Sequence, residues 1–154
     1  MSESPRPQIS DVTRALAHVA DRVLTRKALG LEPYVAHTLR LVLNELELMI
    51  PGLEPAPNQE AARAFAEAAE TSLRNGEERE ALSYALRGLS CSPHHPVLWY
   101  YAGSACIEIG ALEIAMRLLL HALWIHPGYK DARRDLDALT SFFDTSESEE
   151  DQAA

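Results

Sequence analysis

Residues 61–93 read AARAFAEAAETSLRNGEEREALSYALRGLSCSP and residues 95–127 read HPVLWYYAGSACIEIGALEIAMRLLLHALWIHP. Sliding the chain by 34 residues lays Phe65 on Trp99, Gly76 on Gly110, Ala81 on Ala115, Leu89 on Leu123 and Pro93 on Pro127. A fixed period of this length marks a repeat architecture, in which each unit buries its apolar face only against its neighbours. The alternative is an Ala-rich helical bundle whose echo is accidental.

Outward from this stretch, the helix breaks are Gly76, Gly110 and the Pro127-Gly128 pair, which predict helices at about 59–75, 77–91, 95–109, 111–125 and 129–143. Residues 59–93 form one unit and 94–127 the second. The lone helix in 128–143 has the polarity of a cap, with Ala132, Leu136, Leu139 and Phe143 facing inward. Upstream, Ile9, Val12, Leu16, Val19 and Val23 make one stripe of a helix that Gly30 ends. A second helix starts at Pro33 and stops before Pro51. Its apolar residues wrap most of the circumference, so it must be covered on more than one side. It lies either between the first helix and the repeats or in a subunit interface. Residues 9–50 thus read as a helical hairpin, 51–58 as a Pro-rich linker and 1–8 as a flexible leader. Residues 144–154 read as an acidic disordered tail, with five carboxylates and no basic residue.

The chain has 154 residues, 47% of them apolar, and a formal charge of -9. That length supports one domain with a real core. The acidic balance argues against nucleic acid, which is held by clustered Lys and Arg. No apolar run is long enough to span a bilayer and the N-terminus lacks the pattern of a signal peptide, so a cytoplasmic location is expected. Cys91 and Cys106 suit buried thiols in a reducing compartment, a disulfide between them being the lesser reading.

The second unit, with Trp99, Ala102-Gly103, Cys106, Ala115, Leu119 and Pro127, resembles a tetratricopeptide repeat. The first unit follows with Phe65, Ala68-Ala69, Ser72, Ala81, Ala85 and Pro93. The small residues have a physical reason. Ala and Gly let two antiparallel helices approach, while Trp or Phe fills the gap between pairs. The resemblance implies an all-α, right-handed tetratricopeptide-like array with an N-terminal helical hairpin and a C-terminal capping helix. It also implies a groove lined by the first helix of each pair. The groove positions are then Arg63, Ala66, Glu67, Glu70 and Leu73, followed by Val97, Tyr100, Tyr101, Ser104 and Ile107, with Asp131 and Arg134 from the cap. Family members that bind acidic chaperone tails use basic and amide side chains there, where this chain has Ala66, Glu70, Tyr101 and Ser104. The run Gly103-Ser-Ala-Cys106-Ile-Glu-Ile-Gly110, with the size and charge, is similar to tetratricopeptide-type chaperones of type III secretion translocators.

These readings imply a non-enzymatic adaptor or chaperone that holds a peptide or helix of another protein, with apolar anchors suiting the aromatic groove. The competing reading is a structural subunit, a homodimer or larger assembly formed through residues 33–50. A further alternative packs Tyr100 or Tyr101 under the N-terminal hairpin. No phosphate loop, dinucleotide fingerprint, nucleophile elbow or zinc-protease signature occurs, so no catalytic group or cofactor is expected. Cys91, His94 and His95, with His121 and His126 one repeat later, carry metal-ligating atoms, but the cluster lies on the turn between units rather than in a converging set, and no metal is expected. Glu113, Arg117 and His121, spaced four apart, read as one solvated polar stripe.

Overall fold

The computed structural model describes residues 9–24, 30–49 and 59–153. Among them the chain is all-α, in the order α1 (Ile9–Val23), α2 (Pro33–Met49), α3 (Gln59–Arg74), α4 (Glu78–Cys91), α5 (Pro96–Ile109), α6 (Leu112–Ile125) and α7 (Lys130–Ala153). The leader at 1–8, the linker at 51–58 and residues 25–29, which precede the Gly30 expected to end the first helix, lie outside the described residues.

The 34-residue period reaches the backbone hydrogen bonds. Glu77 N–H donates to the Ser72 carbonyl at 2.8 Å, and Ala111 to Cys106 at 2.9 Å, one period on. Ser92 to Gly88 is matched by His126 to Ala122, both at 2.9 Å, and His95 to Ser92 by Tyr129 to His126. Gly76 and Gly110 take φ of 72° and 92° at the ends of α3 and α5, a left-handed turn that a Cβ would oppose. The molecule is therefore a helical repeat in its bonding as well as its side chains. The pairs α3–α4 and α5–α6 make the most extensive helix contacts, and α4 also packs on α5 and α1. Surrounded on three sides, α4 buries Ala81, Leu82, Ala85, Leu86 and Leu89, and forms the centre of the core.

Within the second pair, and between the two pairs, the approach is set by missing side chains. A Cβ built on Gly103 would lie 2.9 Å from Leu119 Cδ2, and one on Gly88 2.7 Å from Leu98 Cδ2. Trp99 is fully buried, as the repeat pattern predicts, and its indole N–H donates to the Pro93 carbonyl at 2.8 Å. The bond satisfies the one polar group of a ring that otherwise contributes apolar burial.

The hairpin docks on the second helices of the pairs. α1 packs on α4 and α2 on α6. The contacts again fall one period apart. On α4, Arg79 donates to the Gly30 carbonyl (2.7 Å), Ser83 to the Ala20 carbonyl (2.8 Å) and Arg87 to Asp21 (3.0 Å). On α6, Glu113 pairs with Arg40 (3.6 Å), Arg117 bonds Glu47 (2.8 Å) and Asn44 (2.7 Å), and His121 faces Glu47. The expected solvated stripe of Glu113, Arg117 and His121 is thus corrected: it is a docking seam for α2. α2 buries one face, Val35, Leu39, Val42, Leu43 and Leu46, and leaves Tyr34, Leu41 and Leu48 exposed. A single packed face is enough because the neighbours on that side are α1 and α6.

The expected disordered tail is also corrected: α7 continues as helix to Ala153. Ala132, Leu136 and Leu139 anchor its start as expected, with Phe143 half-buried. Among the described residues no helix is long and apolar enough to cross a membrane.

Candidate functional site

With the hairpin on α4 and α6, the first helices α3, α5 and α7 carry a face that the described part of the hairpin does not cover. The described hairpin helices make their main contacts with α4 and α6 rather than α5, against the reading that packs Tyr100 or Tyr101 under the hairpin. Three tyrosines cluster on this face instead. The Tyr100 ring lies 5.8 Å from Tyr101 and 5.2 Å from Tyr129, between centroids. All three are half-buried.

Two of the hydroxyls, those of Tyr100 and Tyr101, meet carboxylates on flanking helices. Tyr101 is hydrogen-bonded to Glu70, which Arg74 pairs from the next turn of α3. Tyr100 meets Ser104 and Asp135, and Arg134 lies 3.3 Å from the Asp135 carboxylate and 3.5 Å from that of Asp131. Burial raises both phenols above their ordinary pKa. For Tyr100 the Ser104 hydrogen bond opposes this and Asp135 adds to it; for Tyr101 Glu70 adds to it. Burial raises Tyr129 as well, so the cluster stays neutral and can donate.

Beside the tyrosines lie two cavities that meet at Ser104 and Glu108. One, of about 500 Å³, lies between α5 and α7, lined by Ser104, Ile107, Glu108, Leu112, Asp135, Ala138, Leu139 and Phe142. The other, of about 260 Å³, lies toward the first unit, with Leu73, Gly76 and Glu78 on its wall. The structure brings Glu70, Tyr100, Tyr101, Ser104, Ile107 and Arg134 into one region, although of these only Ser104 and Ile107 line the cavities. Arg63 and Glu67 are exposed, Val97 is half-buried, and none of these three lines either cavity. Ala66 is buried and Leu73 half-buried.

Tyr129, Glu108, Asp135 and Phe142 were not among the groove positions read from the sequence. A signal for two of them was present. Carrying the groove positions Tyr101 and Ser104 of α5 forward by 34 residues gives Asp135 and Ala138, and Glu108 beside them gives Phe142. Tyr129 sits on the turn before α7 and has no such signal.

The remaining polar groups divide between packing and turns. His121 is fully buried, stacked on Trp99 at 4.8 Å, with Glu47 3.8 Å away and both ring nitrogens without a hydrogen bond. Burial pushes its pKa down to about 4, with Glu47 opposing and Arg117 adding. Cys106 is buried and its thiol is pushed up to about 12; Cys91 is half-buried and both are free. Among the described residues no three His, Cys, Asp or Glu side chains converge as metal ligands. No protein-family model matches the chain, and no curated protein matches it.

Proposed function

We propose that this protein is a tetratricopeptide-type adaptor that acts by binding, not catalysis, and holds a peptide or helix of another protein on the α3–α5–α7 face. The observation that carries the reading is the tyrosine cluster. Three neutral, half-buried rings, two of them meeting carboxylates (Tyr101 with Glu70, Tyr100 with Asp135), stand beside two cavities and clear of the described part of the N-terminal hairpin. Fixed aromatic rings lose little entropy on binding, which is why Tyr anchors interfaces.

The test compares capture of partners from the native cell by the full-length protein and by Tyr100→Ala. The variant is expected to weaken capture about thirtyfold, a hot-spot loss of about 2 kcal/mol, while destabilising the fold far less than Trp99→Ala. Stability lost with binding per folded molecule intact would assign the ring to the core and sink the proposal.

A second reading is favoured by α2. Tyr34, Leu41 and Leu48 recur every seven residues on its exposed side, Leu48 being 82% exposed, a spacing that makes one seam along a helix. It makes the chain a subunit that assembles through residues 33–50. Light scattering on the wild type and on Leu41→Glu/Leu48→Glu tests it: an oligomer that the double variant dissolves supports assembly, and a wild-type monomer rejects it.

A further inference from the structure

Resting on the groove reading above, we infer that the segment held in the groove is cationic and amphipathic: a stretch of another protein with a bulky apolar side chain beside Lys or Arg. The two cavities share Ser104 and Glu108, and their walls carry three carboxylates, Glu78, Glu108 and Asp135, with no Lys or Arg. Among the described residues Glu78 and Glu108 have no ion-pair partner. Asp135 meets only Arg134, a largely exposed side chain beside it on the same helix, and the Tyr100 hydroxyl. Between these charges the floor is apolar, with Ile107 half-buried and Phe142 57% exposed.

This combination selects its ligand. An apolar side chain seated between α5 and α7 gains burial against Ile107 and Phe142. A neighbouring ammonium or guanidinium then meets Glu108, which faces both cavities, and neutralises charge that the fold leaves uncompensated. An acidic segment would place like charges together in a partly enclosed space, so it is rejected. The overall charge of -9 favours the same class of ligand at long range.

The test selects binders from a phage-displayed library of random peptides on the immobilised full-length protein. The selected sequence, made as a fluorescent peptide, is then titrated by anisotropy against the wild type, Glu108→Lys and Ser104→Trp. Lys or Arg beside Leu, Ile, Met or Phe is expected in the selected sequences. Glu108→Lys is expected to weaken binding about tenfold and Ser104→Trp to abolish it; raising salt from about 50 to about 300 mM weakens it further. Should Ser104→Trp not fold, Phe142→Asp at the cavity edge takes its place. Acidic or uncharged sequences, or indifference to Glu108→Lys where the groove block abolishes binding, would overturn the charge inference and leave the groove reading standing. Binding that survives the groove block, or no binder recovered, would overturn both.

Discussion

Acid should loosen the contact between the hairpin and the repeats, and His121 is the group through which this acts. The imidazole is sealed between Trp99, Trp124 and α2, with no hydrogen bond to either nitrogen. Its pKa falls from 6.5 to about 4, first because burial penalises the charged form; the Glu47 carboxylate opposes and the Arg117 guanidinium reinforces the fall. In the unfolded chain the ring takes a proton near pH 6.5, whereas in the folded protein it does so only near 4. Between those limits the unfolded state binds more protons, so stability falls as pH falls. Above pH 6.5 the group costs nothing through this route. At about 1.4 kcal/mol for each pH unit, the loss amounts to about 3 kcal/mol by pH 4. The other carboxylates and histidines titrate over the same range, so the measurement is a difference. Urea unfolding at several values between pH 7.5 and 4 is compared for the wild type and His121→Leu. The offset between the two at neutral pH, which includes lost stacking on Trp99, cancels. Relative to the variant, the wild type should lose about 3 kcal/mol, most of it between pH 6 and 4. Parallel stability curves would refute the reasoning, because they would mean that the ring titrates alike in both states and is not sealed.

Trp99→Ala should destabilise the fold by about 3 to 5 kcal/mol in the same assay, since it empties the seam between the helix pairs and orphans the Pro93 carbonyl. A variant that melts with the wild type would disprove the repeat register. Gly103→Ala should cost about 1 to 3 kcal/mol, because the added methyl falls 2.9 Å from Leu119 Cδ2 and 3.4 Å from the Ala115 carbonyl, in a helix contact without slack. Were it neutral or stabilising by thermal denaturation, the close α5–α6 approach would be wrong. Cys106, buried with its thiol pushed up to about 12, should resist a thiol reagent at pH 8 until urea unfolds the chain. Prompt modification of Cys106 in the native protein, located by mass spectrometry, would count against its burial.

The helical repeat was legible from side-chain type alone. Gly76 and Gly110, Phe65 and Trp99, Pro93 and Pro127 each answer a local demand for a left-handed turn, a gap-filler or a helix stop, and such demands are written where they act. The helix breaks followed within a residue or two for the same reason. The clustering of Tyr100 and Tyr101 with Ser104 and Ile107 on one side of α5 was legible too, by helical spacing. What the tertiary structure alone decided is which way the hairpin folds. Glu113, Arg117 and His121 look like a solvated stripe because polarity by itself does not say whether water or another helix is the partner. Only the docking of α2 supplies Arg40, Asn44 and Glu47 opposite them. Long-range pairings of this kind span about 70 residues of chain and leave no local signature. The same docking seats the described hairpin helices on α4 and α6, and so leaves the tyrosine rings half-exposed.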